Sequence, residues 1–246
     1  MKTLSIIIPV YNEEKTVGVL LGKVVDAKLP AGFKKEIIII DDGSTDKTES
    51  VLSKCQMSNL SAVRQDVKCQ IFRHNTNQGK GAAIRTGLKH VTGDYIIIQD
   101  ADLEYNPADY KELLKPILEK KAKVVYGTRL KNYPLRLWGE NKTILPLHLI
   151  ANKFLTFMTN MLYGSKLSDM ETCYKLLTKN VLTGFDLQSN RFEIEPEITA
   201  KILKRGFSIL EIPIKVTPRT HKEGKKISWK DGFRAVFSLV KYRFYD

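Results

Sequence analysis

Asp100, Asp102 and Glu104 place three carboxylates close together, directly after the β-branched run Ile96-Ile97-Ile98. That run, following Gly93-Asp94 and Tyr95, predicts a short buried strand. In an open parallel α/β sheet, ligands sit outside the carboxyl ends of the strands. An extended backbone would point Asp100 and Asp102 to one side, where like charges repel unless a cation lies between them. Hard oxygen ligands of this kind suit Mg²⁺ or Mn²⁺ shared with substrate phosphates. An isolated Asp-x-Asp reads as a solvated acidic turn. Here the strand before it and two motifs upstream favour a metal site.

The elements that must position this acidic end can be read in order. Leu4 to Val10 is an apolar strand ending in Pro9-Val10-Tyr11-Asn12-Glu13-Glu14, with Asn12 as a candidate helix cap. Val17, Leu20, Leu21, Val24 and Val25 recur at helical spacing. Glu36 to Ile40 is a second buried strand, closing with Asp41-Asp42-Gly43-Ser44-Thr45, where Ser44 or Thr45 is placed to cap the next helix. Residues 53–68 are polar and patternless, which suggests a surface excursion. Cys69 to Phe72 is a third strand, and Asn77-Gln78-Gly79-Lys80-Gly81 turns into a helix from Ala82 to His90. Asn106 and Pro107 begin another helix, and Lys123 to Tyr126 is a fifth strand ending at Gly127-Thr128-Arg129. Five alternations predict an α/β fold, a mostly parallel Rossmann-like sheet flanked by helices.

After Leu130 the alternation stops. Ile144 to Tyr163 reads as a long amphipathic helix, Pro196 to Arg205 as a helix and Ile209 to Val216 as strand-like. Between them, Asp169 to Lys175 leads into a short apolar stretch. A basic loop from Arg219 to Lys226 precedes a last helix with Trp229, Phe233, Val236, Phe237 and Val240 on one face. The expected organisation is a single domain in two halves, residues 1–130 and 131–246, the second carrying the amphipathic helices and the basic loop.

With 40 Lys and Arg against 27 Asp and Glu, the net charge is +13 over 246 residues. That charge invites a polyanion: nucleic acid, an anionic membrane or phosphorylated substrates. Cys55, Cys69 and Cys173 are odd in number and have no metal-ligand spacing, which points to reduced thiols. No secretory leader pattern is seen at the N-terminus, and the 144–163 stretch is broken by His148, Asn152, Lys153 and Asn160. A soluble or peripheral protein is expected.

Singly the motifs are weak. Gly79-Lys80-Gly81 is neither a Walker loop nor a full dinucleotide fingerprint. Asp41-Asp42 could be a capping turn, and Glu193, Glu195 and Glu197 read as the acidic first turn of a helix. In order and spacing together, Pro9-Val10-Tyr11-Asn12-Glu13, Asp41-Asp42-Gly43-Ser44, Asn77 to Gly81, Asp100-Ala101-Asp102 and Gly127-Thr128-Arg129 resemble family 2 glycosyltransferases of GT-A fold. Within that family the chain is similar to the dolichyl-phosphate mannose synthase and polyprenyl-phosphate hexosyltransferase branch. Asp169 to Lys175 and Arg219 to Ser228 extend the resemblance over nearly the whole chain.

The resemblance implies an inverting transfer of mannose or glucose from a nucleoside-diphosphate sugar, of GDP-mannose or UDP-glucose type, to a dolichyl- or undecaprenyl-type phosphate. Pro9, Tyr11, Glu13 and Asp42 would form the nucleotide pocket, with Tyr11 against the base and Asp42 on its edge. Lys80 and Asp100 would belong to the donor site. Asp100, Asp102 and Glu104 would hold Mg²⁺ or Mn²⁺ on the diphosphate. Arg129 would face phosphate, and Asp169 would lie near the transferred sugar. Arg219, Ser228 and Lys225 or Lys226 would close over donor and acceptor phosphates. The chain departs from the branch in lacking a securely placed second arginine, for which Arg136 and His148 are candidates. It also lacks the transmembrane helices common there. The expected location is the cytoplasmic face of a membrane, held peripherally, with a homo-oligomer left open.

Two other classes stay in view. A family 2 enzyme acting on a sugar hydroxyl would need a base, Glu171 or Asp169. A non-catalytic nucleic-acid binder would fit the charge, but no nucleic-acid motif is found.

Overall fold

The structure, a computed structural model, describes residues 1–57, 66–131, 146–182, 184–218 and 229–245. Its strands are β1 (Lys2–Val10), β2 (Phe33–Asp41), β3 (Val67–Arg73), β4 (Tyr95–Ile98), β5 (Val124–Thr128), β6 (Lys175–Thr178) and β7 (Ile209–Pro213). The α-helices are α1 (Val17–Asp26), α2 (Thr48–Met57), α3 (Lys80–Leu88), α4 (Tyr110–Leu118), α5 (Pro146–Tyr163), α6 (Lys179–Leu182), α7 (Ile194–Lys204) and α8 (Trp229–Phe244).

Among the described residues the strands form one sheet in the order β3-β2-β1-β4-β6-β5-β7. β1 runs parallel to β2 and β4, β2 to β3, and β5 to β7. Ile37, Ile38, Ile39 and Ile40 are all fully buried, because helices cover both faces of this part of the sheet. The chain leaves β1 toward β2 and returns on its other side at β4. That reversal opens a crevice at the carboxyl ends of β1 and β4, where such sheets bind ligands.

Several elements differ from their sequence reading. The short apolar stretch after Tyr174, given no element type from sequence, is β6, antiparallel between β4 and β5. It is only four residues long and starts with a buried lysine, so neither length nor polarity marks it as a central strand. The second half of the chain thus contributes β6 and β7 to the sheet of the first. Residues 53–57 continue α2 rather than starting a loose excursion. Asn12 does not cap α1, which begins at Val17 after Thr16. Instead Asn12 adopts φ 49° and accepts a hydrogen bond from Thr45 N at 2.8 Å, tying the end of β1 to the end of β2. Ser44 takes the Asn12 amide, and Asp46, not Ser44 or Thr45, accepts from Thr48 N at the start of α2. Asn106 does cap the turn at Pro107, accepting from Ala108 N at 3.1 Å.

α5 and α8 pack on each other through Leu155, Leu167, Met170, Ala235 and Leu239. No described helix is long and apolar enough to cross a membrane.

Candidate active site

A cleft of about 750 Å³ opens over the carboxyl ends of β1 and β4. Pro9, Tyr11, Glu13, Asp42, Lys80, Asp100, Asp102, Glu104 and Arg129 all line it. Of the expected site residues that are described, Asp169 alone is missing from the lining. Arg219, Lys225, Lys226 and Ser228 lie outside the described residues, as does Arg136; His148 lines the cleft.

The acidic end is firmly mounted. Gln99 extends β4 by donating its amide to Ile7 O, and its buried side chain accepts from Tyr110 Oη at 2.6 Å and Tyr174 Oη at 2.7 Å. Beyond it the backbone turns instead of staying extended as expected. Leu103 has φ 64°, and Asp102 Oδ1 accepts the Glu104 amide at 3.0 Å. A leucine in the left-handed region is strained, and such strain collects at functional turns. Asp102 and Asp100 therefore reach one cleft by different routes.

Lys80, at the start of α3, sits 2.8 Å from Asp100 Oδ1 and 2.9 Å from Oδ2. It is also 2.9 Å from Glu195 Oε1. Burial works against its ammonium, but Asp100 and Glu195 hold its pKa well above the ordinary lysine value. Glu195 in turn bonds the fully buried Lys175 at 2.6 Å. Burial opposes its charge too, yet Lys175 and Lys80 keep its pKa below the usual carboxylate value.

Asp42 is buried, and four protein donors converge on it. His74 Nδ1 lies at 2.7 Å and Gln78 N at 2.9 Å from Oδ1; Asn77 Nδ2 at 2.9 Å and Gly79 N at 2.7 Å bond Oδ2. A carboxylate has about four lone-pair sites, so Asp42 shapes the 74–79 turn. A base on its edge would have to displace one of these donors. The glycines of this turn have a separate cause. A Cβ on Gly79 (φ 102°) would collide with the Asn190 carbonyl, and one on Gly81 with that of Ser189. The turn is thus a seat for residues 189–190 rather than a phosphate loop.

Arg129 and Asp169 form a two-pronged ion pair. Asp169, expected near the transferred sugar, is fully buried behind Arg129 and does not line the cleft. Glu171, two residues on, does line the cleft. Its Oε1 is buried without a hydrogen-bond partner, and burial raises its pKa to about 7 against the pull of Lys175.

The opposite wall is mostly apolar, with Leu147, Ala151, Phe154 and Leu155 of α5 and Phe233, Ala235 and Val236 of α8 beside the polar His148, Asn152 and Asp231. Phe154 and Phe233 belong to exposed stripes that continue along the two helices as Leu147, Ile150, Phe157 and Met161, and as Phe237, Val240 and Phe244.

Residues 5–184 match the family model for Glycosyl transferase family 2. The chain belongs to that family. It is 28% identical over 249 residues to the UDP-N-acetylglucosamine–dolichyl-phosphate N-acetylglucosaminyltransferase of Methanococcus voltae, covering 97% of this chain and 95% of that one. It is 27% identical over 249 residues to a dolichyl-phosphate beta-glucosyltransferase of Trichomonas vaginalis, covering 97% and 72%. In fold it is similar to glucosyl-3-phosphoglycerate synthase from Mycobacterium tuberculosis, solved in complex with Mn²⁺, UDP and phosphoglyceric acid. That likeness has a TM-score of 0.71 and 16% identity, and covers 100% of this chain and 80% of the other. The protein is a glycosyltransferase with the GT-A fold.

The acidic end of this glycosyltransferase is compatible with a divalent ion of the kind bound in that structure. Among its described residues, no three His, Cys, Asp or Glu side chains form a ready-made cage. Mg²⁺ and Mn²⁺ seldom need one, since they keep waters and take phosphate oxygens beside one or two carboxylates. Asp100 and Asp102 on one cleft wall meet that requirement only in company with a diphosphate.

Three contributors escaped the sequence reading: Glu195, Lys175 and Glu211. Glu195 looks like an ordinary acidic first turn of α7 until the fold brings Lys80 to it. Glu211 on β7 accepts from Ser168 N, Ser168 Oγ and Asp169 N, fixing the turn beneath Arg129. Nothing local in the sequence marks such long-range partners.

Proposed function

We propose that this glycosyltransferase moves a hexose from a nucleoside diphosphate to a polyprenyl phosphate, inverting the anomeric carbon. The observation that carries this reading is the two-sided cleft. Its charged floor of Asp100, Lys80 and Arg129 runs directly into a mostly apolar wall continuous with exposed stripes on α5 and α8. A phosphate joined to a hydrocarbon chain matches both sides, and the relatives named for dolichyl phosphate support it.

Pro9, Tyr11, Glu13 and the turn ordered by Asp42 hold the nucleotide, and Lys80 reaches its phosphates. Asp100 and Asp102, with Glu104, would hold Mg²⁺ or Mn²⁺, which supplies Lewis-acid neutralisation of the leaving diphosphate. An acceptor phosphate oxygen attacks the anomeric carbon from the face opposite the diphosphate. The C–O bond to the diphosphate breaks, and the nucleoside diphosphate leaves with the electron pair. The acceptor is already anionic at neutral pH, so no proton needs to be removed. The barrier is the approach of two anions, which Arg129, Arg219 and Lys225 or Lys226 offset in a partly dry site. Ser228 would act with them on the donor and acceptor phosphates. The exposed stripes, flanked by Lys230, Arg234, Lys241 and Arg243, rest peripherally on a membrane surface at its cytoplasmic face.

A second reading, transfer to a sugar hydroxyl, is favoured by one observation: Glu171 lines the cleft with a pKa of about 7, suited to a general base. A donor screen tests both. GDP-mannose, UDP-glucose and UDP-N-acetylglucosamine are offered with Mn²⁺ and short polyprenyl phosphates, and the lipid phase is assayed for sugar. Sugar in that phase supports the first reading; its absence with every donor rejects it.

A further inference from the structure

Asp100, Lys80, Glu195 and Lys175 form a chain of alternating charge across the floor of the cleft. Its links measure 2.8, 2.9 and 2.6 Å. It joins the end of β4, the starts of α3 and α7 and the first residue of β6, and so spans both halves of the protein. Lys175 is fully buried and Glu195 is 3% exposed. Two of the members have no part in the reaction as described above.

The position of Lys80 gives them one. Its ammonium lies against both oxygens of Asp100, the place a cation must take to bind there. A divalent ion arriving with a diphosphate would meet that ammonium at short range, where like charges repel strongly. Lys80 must then give up Asp100. A buried lysine left without a counter-charge is costly. Glu195, already 2.9 Å away, removes that cost by keeping the ammonium paired. Lys175 performs the same service for Glu195 on its far side, donating also to Met170 O and Thr172 O, which locks it in place.

We infer that Lys80 is a resident cation at the metal position, and that Glu195 is the positioning residue that receives it when the divalent ion binds. The inference rests on the proposed metal site at Asp100 and Asp102. An ammonium has three donors, so a Lys80 drawn toward Glu195 still has protons to offer a diphosphate oxygen. Glu195 would thus couple metal arrival to phosphate binding while touching neither.

Mn²⁺ binding tests this. Free Mn²⁺ is followed by its EPR signal as protein is titrated in, with UDP and separately with GDP present. In Glu195→Gln, Lys80 has Asp100 as its one carboxylate partner and should compete harder. Mn²⁺ affinity should then fall about tenfold, the scale of one charged hydrogen bond. Lys80→Met leaves the Glu195–Lys175 pair intact and, with each nucleotide at a concentration that saturates the variant so that its lost phosphate contact does not count, should tighten Mn²⁺ binding. In the double variant the effect of Glu195→Gln should vanish, since the competitor is gone. Circular dichroism and a melting curve check that each variant is folded.

A loss of Mn²⁺ affinity that is the same with and without Lys80 would make Glu195 merely structural and overturn the inference. So would unchanged or weaker Mn²⁺ binding in Lys80→Met, which decides the matter even if Glu195→Gln fails to fold. If the wild-type protein takes up no Mn²⁺ with either nucleotide, the metal reading fails, and the inference fails with it.

Discussion

Arg129 and Asp169 meet in a two-pronged ion pair, Nε to Oδ2 and Nη2 to Oδ1, each at 2.7 Å. The Arg129 amide adds a third bond to Oδ2 at 2.9 Å. Burial acts against the guanidinium, but Asp169 holds its pKa well above the ordinary value. The carboxylate lies behind the arginine and fixes which way it faces. Arg129 then presents a cation to the cleft from a seat held by three hydrogen bonds to one carboxylate.

Breaking this pair from either side should have different effects. Asp169→Ala strands a buried guanidinium and should cost about 3–5 kcal/mol of stability, visible as a lowered Tm. Arg129→Lys keeps the charge but loses the planar fork. It should keep the protein folded while kcat drops, by about tenfold or more if one charge-assisted hydrogen bond is lost. A wild-type kcat in Arg129→Lys would remove Arg129 from the transfer step.

Asp102→Asn should abolish metal-dependent transfer with little change in Tm. The amide oxygen of asparagine can still accept from the Glu104 amide, so the turn survives while the charge is lost. EDTA should silence the wild-type enzyme to the same degree. Near-normal activity in either experiment would exclude the acidic end as the metal site.

The sheet was legible because its strands are long apolar runs joined by helices of clear periodicity. The cleft was legible because five motifs fall at strand ends, where a parallel sheet gathers them. β6 was not: four residues beginning with Lys175 carry no strand signal, and their place between β4 and β5 is set by tertiary pairing. The resemblance implies that Asp169 lies near the sugar, but nothing local to residue 169 shows that its carboxylate pairs with Arg129, 40 residues away along the chain. Glu195 and Glu211 were missed for the same reason, since their partners lie far away along the chain.

Glu171 gives the protein a pH signature. Its folded-state pKa of about 7 exceeds the usual 4.5. Between those values the folded protein holds a proton that the unfolded chain releases, so stability should fall as pH rises from about 4.5 to 7 and level off above. The whole effect is on the order of 3 kcal/mol. Glu171→Gln should flatten this slope and be the more stable protein at pH 8. Urea melts across that range that superimpose for both proteins would show Glu171 to be ionised throughout.

The Phe stripe of α8 should hold the enzyme on anionic membranes. Ala235 and Leu239 face α5, but Phe233, Phe237 and Phe244 are each about 70% exposed, so the helix has one face that packs and another that is exposed. Each nearby Lys or Arg contributes about 1 kcal/mol at such a surface, falling with salt. Co-sedimentation with anionic liposomes should be strong at low salt. It should weaken when Lys230, Arg234, Lys241 and Arg243 become Gln, and also in Phe233→Ser/Phe237→Ser. A protein that stays in the supernatant at low salt would leave α8 a packing element alone.

The proposed reaction needs an acceptor that is already an anion, and a matched pair of lipids tests this. A short polyprenyl phosphate and the corresponding polyprenol, which differ only in the phosphate, are each supplied with the preferred donor and Mn²⁺, and sugar transfer into the lipid phase is measured. We predict transfer to the phosphate and none to the alcohol, with no loss of rate in Glu171→Gln, because no base is required. Transfer to the alcohol or to a soluble sugar hydroxyl at a comparable rate, abolished in Glu171→Gln, would contradict it.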